Sequence, residues 1–169
     1  MELIHASGRA RSIGVSNFTE THLKTILKTA KVKPAINQVE FHPCIDQRSL
    51  LAFAKQHDIR VAAFSSLTPT TKLPDAPVTH VVRRLAAKYG VDEGVILLRW
   101  VLGQHVVVVT TSGNETRLKG YLEVLFEETL SADEMKEIET QGQETSFRGF
   151  FSEEFKMLSP SSEVAAVAS

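Results

Sequence analysis

Gly14-Val15-Ser16-Asn17-Phe18 ends a short apolar strand, Ser12 to Val15, at a polar pair and leads into a helical face of Leu23, Ile26, Leu27 and Ala30. A strand that stops in polar side chains just before a helix is the ligand-bearing corner of an α/β protein, because loops at strand C-termini hold ligands in such folds. The same corner recurs along the chain. Lys33-Pro34 breaks the helix, and Ala35 to Glu40 reads as a second strand whose imperfect alternation fits cover on both sides. Ile59 to Ser65 is a third strand and ends in Ser65-Ser66, and Val106 to Thr111 is a fourth that ends in Thr110-Thr111-Ser112-Gly113-Asn114.

Helical patterns fill the intervals. Met1 to Ser7 resembles the last turns of a helix, with Gly8 just past its end where a left-handed backbone is common. Asp46 is placed to cap a helix carrying Leu50, Phe53 and Ala54 on one face. Thr68 to Pro77, rich in Thr and Pro, reads as a long irregular loop and a candidate mobile flap. Val78, Val81, Val82, Leu85 and Tyr89 then follow helical spacing up to Gly90, and Asp92 caps a run from Val95 to Leu102 with so little polar face that burial among neighbours is expected. A further helix carries Arg117, Leu118, Tyr121 and Leu122, and Ser131-Ala132-Asp133-Glu134 has the capping-box form ahead of Met135 and Ile138. Periodicity stops beyond Gly142, where Phe147, Phe150, Phe151 and Phe155 cluster, and Ser159 to Ser169 is small and polar enough for disorder. Strand-helix alternation repeated four times implies a parallel sheet with right-handed crossovers, one domain over residues 1–155, and a disordered tail over 156–169.

At 169 residues, 43% hydrophobic and 23% charged, the chain fits one sizeable globular domain. Its apolar runs are far shorter than the roughly 20 residues of a spanning helix, so no membrane role is expected. A formal net charge of −1 gives no footprint for nucleic acid. The single cysteine, Cys44, cannot form an internal disulfide, and no signal-peptide core follows Met1, which points to a cytoplasmic location and a small buried side chain rather than a nucleophile. His5, His22, His42, His57, His80 and His105 show no metal-ligand spacing, and neither the Gly-rich phosphate fingerprints nor a nucleophile elbow is present. What remains is polar strand ends: Ser16-Asn17, Asn37-Gln38, Phe64-Ser65 and Thr111-Ser112. Amides, hydroxyls and one aromatic ring suit a neutral heteroaromatic carboxamide and a pyrophosphate better than acid-base work, and Arg117 adds a cation in the first turn after the last strand.

Four segments together resemble the aldo-keto reductase family: Arg11 to Phe18, Asn37-Gln38-Val39-Glu40-Phe41-His42-Pro43, Ala63-Phe64-Ser65-Ser66-Leu67 and Leu97-Leu98-Arg99-Trp100, in that order. The Thr-Thr-Ser strand end and Phe-rich C-terminal segment look most like fungal NADPH-dependent keto reductases of that family. The resemblance implies that Ser16, Asn17 and Gln38 hold the nicotinamide carboxamide and that Phe64, where the family usually has Tyr, stacks on the nicotinamide ring. It further implies that Ser65 and Leu67 meet the pyrophosphate, while Thr111, Ser112 and Arg117 lie on the segment that takes the adenosine 2′-phosphate. Ser66 replaces the family's usual Pro, Thr111 its usual Lys, and Tyr121 the Asn that contacts adenine, which rests NADPH preference on Arg117 and leaves NADH open as a second cofactor. The family fold is a (β/α)8 barrel of about 250 residues, and by resemblance this chain supplies the C-terminal half of that TIM barrel, family strands 5 to 8. The family's catalytic Asp, Tyr, Lys and His belong to the other half. The implied function is therefore the cofactor-binding part of a reductase of small aldehydes or ketones, inactive alone and with no catalytic residue of its own. The alternative is a non-catalytic half-barrel that binds a dinucleotide or pairs with another chain; exposed sheet edges would also promote self-association.

Overall fold

A computed structural model describes residues 1–123 and 129–151, of Glu123 the backbone only. Strands β1 (Val15–Ser16), β2 (Ile36–Glu40), β3 (Arg60–Phe64) and β4 (Val107–Val108) form one parallel sheet in the order β1-β2-β3-β4. Parallel neighbours need crossovers, and helices supply them: α2 (Glu20–Leu27) joins β1 to β2, and α3 (Arg48–Gln56) joins β2 to β3. Between β3 and β4 lie α4 (Thr68–Lys72), α5 (Pro77–Tyr89) and α6 (Glu93–Gly103). The short α1 (Glu2–Ala6) precedes the sheet, and α7 (Glu115–Glu123) and α8 (Ala132–Thr145) follow it.

The outer strands are shorter than the apolar runs predict. The runs Ser12 to Val15 and Val106 to Thr111 leave only two laddered residues each, and among the described residues β1 and β4 are edges with a partner on one side. Ladder-like bonds from Ala35 N to Ile13 O at 2.8 Å and from Val109 N to Ala63 O at 2.9 Å continue the pairing past both ends.

Side chains alternate across a strand, so the register sorts the sheet into two faces. Val15, Val39, Val61, Ala63 and Val108 pack with Leu23, Leu50, Leu85 and Leu97 of the helices in the main core. Ser16, Gln38, Ala62 and Val107 line up in register on the opposite face, with Glu40 and Phe64 paired two positions further on. Among the described residues helices therefore cover β2 on one face only, against the expectation of cover on both sides. Its alternation is blurred by Asn37, fully buried among apolar neighbours, and by Glu40 at 1% exposure.

Local chemistry explains the helix ends. Gly90 ends α5 in the left-handed region at φ 65°, where only glycine is free of a Cβ penalty. Asp92 caps α6 by accepting the Gly94 N–H at 2.8 Å, and α6 is buried from Gly94 to Val101, as its lack of a polar face predicts. The capping box at Ser131 forms with both reciprocal bonds. Asp46 does not occupy the cap of α3; Gln47 does, without a side-chain bond, while the Asp46 carboxylate accepts the Arg48 N–H and holds the Arg48 guanidinium. The stretch Thr68 to Pro77, expected to be irregular, instead contains α4. Thr68 and Pro69 are buried at the start of α4, and Thr79 Oγ1 donates to Pro69 O at 3.0 Å and to Leu73 O at 2.7 Å, tying the segment to α5. Threonine hydroxyls that close backbone turns make a Thr- and Pro-rich stretch compact.

Helix α8 runs three residues beyond Gly142, past the end predicted there. At Gly142 an added Cβ would sit 2.4 Å from Pro43 O, so the glycine permits α8 to cross the loop after β2. Phe41 stacks on Trp100 at 5.6 Å, and Trp100 Nε1 donates to Met135 O at 3.2 Å, which locks α6, α8 and the end of β2 together. Phe155 and the predicted tail over 156–169 lie outside the described residues.

Candidate functional site

The C-terminal ends of all four strands lie along one end of the sheet, and the polar residues singled out by sequence sit there. After β1 the backbone turns through Asn17 at φ 57°, a left-handed conformation that Asn tolerates better than most residues. Asn17 N donates to Gln38 O at 2.8 Å, Ser16 Oγ donates to the same carbonyl at 2.9 Å, and Asn17 Nδ2 donates to Ser16 Oγ at 3.2 Å. Ser16, Asn17 and Gln38 thus form one hydrogen-bonded corner. Asn37 holds that corner from behind: its Nδ2 donates to Phe18 O at 2.8 Å and its Oδ1 accepts Phe18 N at 3.3 Å. Its part is structural, and the cue available in the sequence was an amide at a position whose neighbours alternate inward.

One strand further on, β3 ends at Phe64, and Ser65 turns at φ 57° while its carbonyl accepts both the backbone N–H of Thr68, at 3.1 Å, and its hydroxyl, at 2.8 Å. An open cleft of about 360 Å³ lies here, lined by Phe64, Ser65, Leu67 and Thr111 together with Lys72 and Phe150. Four of the predicted residues therefore share one cavity. Ser66, also in its wall, is 2% exposed and its hydroxyl has no partner among the described residues.

Ser112 and Arg117 are not among the cleft-lining residues. Asn114 caps the first turn of α7 by accepting Arg117 N at 3.0 Å, and Arg117 is exposed. Tyr121 is buried with Val95 and Leu98, its phenol pushed above the usual range by burial and by Asp92. Tyr89 donates to Glu134 Oε2 at 2.7 Å. Cys44 is buried and its thiol is pushed up to about 11 by desolvation, so it is not a thiolate nucleophile near neutral pH. His42 is fully buried and pairs through Nε2 with Glu40 Oε1 at 3.2 Å.

The aromatic cluster splits. Phe147 packs on the core and its N–H donates to Cys44 O at 2.9 Å, Phe150 lines the cleft, and Phe151 is 48% exposed. Among the described residues no group of three or more His, Cys, Asp or Glu side chains is placed to hold a metal ion, and no helix is long and apolar enough to cross a membrane.

A family model for the aldo/keto reductases matches residues 1–142. The chain belongs to the aldo/keto reductase family. It is 39% identical over 150 residues to an NADPH-dependent alpha-keto amide reductase of Saccharomyces cerevisiae, covering 85% of this chain and 48% of that protein. It is 41% identical over 142 residues to an NAD(P)H-dependent pentose reductase of Pyricularia oryzae, covering 78% of this chain and 43% of that one. The crystal structure of MGS-M4, an aldo-keto reductase from a Medee basin deep-sea metagenome library, superposes with a TM-score of 0.79 at 28% identity, covering 88% of this chain and 53% of the other. The chain spans about half the length of the curated relatives it matches, and its four parallel strands match part of a TIM-barrel fold.

Proposed function

We propose that this chain is the cofactor-holding part of a nicotinamide-dependent carbonyl reductase, equivalent to strands 5 to 8 of the family barrel, and that it does not reduce carbonyls by itself. The observation that carries this reading is the joined geometry of the strand ends: the Ser16-Asn17-Gln38 corner lies beside a cleft bounded by Phe64, Ser65, Leu67 and Thr111. Gln38 and Phe64 face the same side of adjacent strands, so an amide and a flat apolar ring are presented together, which fits a nicotinamide and its carboxamide. The Ser66 hydroxyl in the cleft wall, without a partner among the described residues, fits a ligand that brings its own hydrogen-bonding groups. When bound, such a cofactor supplies the hydride. The protein's part is to hold the carboxamide at Ser16, Asn17 and Gln38, to support the ring on Phe64, and to receive the pyrophosphate near Ser65 and Leu67. Thr111, Ser112 and Arg117 would take the adenosine end, with the exposed Arg117 guanidinium as the cation for a 2′-phosphate. NADPH is the preferred cofactor in this reading and NADH the second, in keeping with the NADPH and NAD(P)H dependence in the names of the two fungal relatives.

Carbonyl reduction also needs an acid at the carbonyl oxygen. Tyr89 is committed to Glu134, Tyr121 is buried against α6, and His42 is sealed from solvent beside Glu40, so none of them is presented to the cleft. The test is direct. The purified chain should bind NADPH and show no NADPH oxidation with an aldehyde or keto ester; turnover at rates ordinary for an enzyme would overturn the missing-acid argument.

A second reading, a non-catalytic half-barrel that pairs with another chain, is favoured by the β4 side of the sheet. Val107 and Val109 are 45% and 42% exposed there, next to an apolar groove of about 690 Å³ lined by Leu98, Leu102, Leu118 and Leu122. An edge strand beside exposed apolar surface promotes association. Sedimentation showing a monomer at all accessible concentrations, with no affinity for a dinucleotide, would count against it.

A further inference from the structure

Glu40 is the last residue of β2 and only 1% exposed, yet two of its partners lie more than a hundred residues away. Its Oε1 accepts the N–H of Gly149 at 2.8 Å and its Oε2 accepts the N–H of Phe150 at 3.0 Å, while His42 Nε2 approaches Oε1 at 3.2 Å. A buried carboxylate is tolerated only when donors surround it, and here two successive backbone amides from the C-terminal segment do so. Gly149 allows the approach, since a Cβ there would come within 3.0 Å of Glu40 Oε1. Burial pushes the Glu40 carboxyl up, but the His42 hydrogen bond and the two amides outweigh it and hold the group below its ordinary range.

The geometry of what these bonds fix matters for the cleft. Phe150 meets Phe64 edge-on, with ring centroids 5.6 Å apart and planes at 75°, and Lys72 Nζ sits 4.9 Å from the Phe150 centroid. Phe64, Phe150 and Lys72 all line the same cavity. Beyond the anchor, Phe151 turns at φ 56° and is 48% exposed. We infer that Glu40 is a positioning residue that clamps the backbone of Gly149 and Phe150 across the end of the sheet, so that Phe150 forms the wall of the cleft beside Phe64 and sets the fit of a flat heteroaromatic ring there. The inference rests on the proposed dinucleotide reading for the nature of that ring.

Hydrogen exchange and ligand titration on the whole chain test it together. In the wild-type protein without ligand, the amides of Gly149 and Phe150 should be protected; exchange as fast as in an unstructured peptide would overturn the clamp. In E40Q one carbonyl oxygen replaces two carboxylate oxygens, so those amides should exchange about tenfold faster or more while Val39 and Val61 stay protected. NADPH affinity should fall by about tenfold in E40Q, with adenosine 2′,5′-bisphosphate, which lacks the nicotinamide, bound as before. Equal loss for both ligands would mark a general structural defect and overturn the positioning role. F150A leaves the carboxylate and both amide donors in place; it should keep the protection and lose NADPH affinity to a similar degree, and it decides the matter if E40Q does not fold. Wild-type protein that binds NADPH with an affinity both variants leave unchanged overturns the clamp alone. Wild-type protein that binds no dinucleotide removes the cofactor reading, and the clamp's role in affinity with it.

Discussion

The two faces of the sheet are built to different ends. On the helix side, Val39, Val61 and Ala63 are buried under Leu23, Leu85, Leu97 and Ile138, each at 0% exposure. On the other side the same strands present Ser16, Gln38, Phe64 and Val107, half-buried or exposed, with the 147–151 segment as cover near Glu40. Since alternate residues of one strand serve the two faces, stability and ligand contact are separable by substitution. The helix face carries the fold, and the open face carries the proposed chemistry and the surfaces for association.

The largest test of this division is Ile138→Ala on α8. Removing a fully buried Ile side chain should cost about 2–5 kcal/mol in urea unfolding, because α8 closes the helix layer over α5 and α6. Arg117→Ala, at an exposed position, should leave unfolding within about 0.5 kcal/mol and weaken NADPH by roughly ten- to a hundredfold, the loss of one charge-assisted bond. NADH should be almost unaffected in parallel titrations, and equal loss for both cofactors would remove Arg117 from the 2′-phosphate.

Acid should act on the helix side through Glu134. Burial raises its carboxyl, but hydrogen bonds from Lys88, the Ser131 backbone and Tyr89 outweigh that and hold it at about 2 against an ordinary 4.5. A carboxyl depressed in the folded state stabilises fully above its unfolded value, and that stabilisation is lost as pH falls from 4.5 toward 2. Urea midpoints should therefore drop across that window in the wild type and drop less in Glu134→Gln. The smallest effect on stability is expected at the open edge: Val107→Lys, at 45% exposure, should change unfolding by no more than about 0.5 kcal/mol. It should nonetheless reduce any concentration-dependent association seen by sedimentation, because a lysine on an edge strand opposes pairing.

Much of this arrangement was legible in the sequence where side-chain chemistry and element type agree. Gly90, Asp92 and Ser131 mark helix ends by local bonds that need no tertiary partner, and the apolar run of α6 announced its own burial. The parallel sheet followed from strand-helix alternation, and the polar strand ends from the residues themselves. What escaped depended on contacts distant in sequence. The helix within Thr68 to Pro77 was missed because the bonds that close it come from Thr79, on the next helix. Glu40 read only as the last residue of a strand, yet its carboxylate also accepts the amides of Gly149 and Phe150, whose N–H groups carry no side-chain signal. Within the candidate site, Phe64, Ser65, Leu67 and Thr111 meet in one cleft, whereas Ser112 and Arg117 stand outside its lining. Their place in the reading comes from family resemblance and not from local geometry.

The central claim is that the open face holds a nicotinamide ring on Phe64. Titration of the chain with NADPH, followed by the fluorescence of the reduced nicotinamide, measures this most directly when the wild type is compared with Phe64→Leu, which keeps an apolar side chain and removes the aromatic face. Saturable binding in the wild type that falls several-fold in Phe64→Leu, with adenosine 2′,5′-bisphosphate affinity unchanged, is the predicted result. Wild-type binding that Phe64→Leu leaves unaltered would contradict the account.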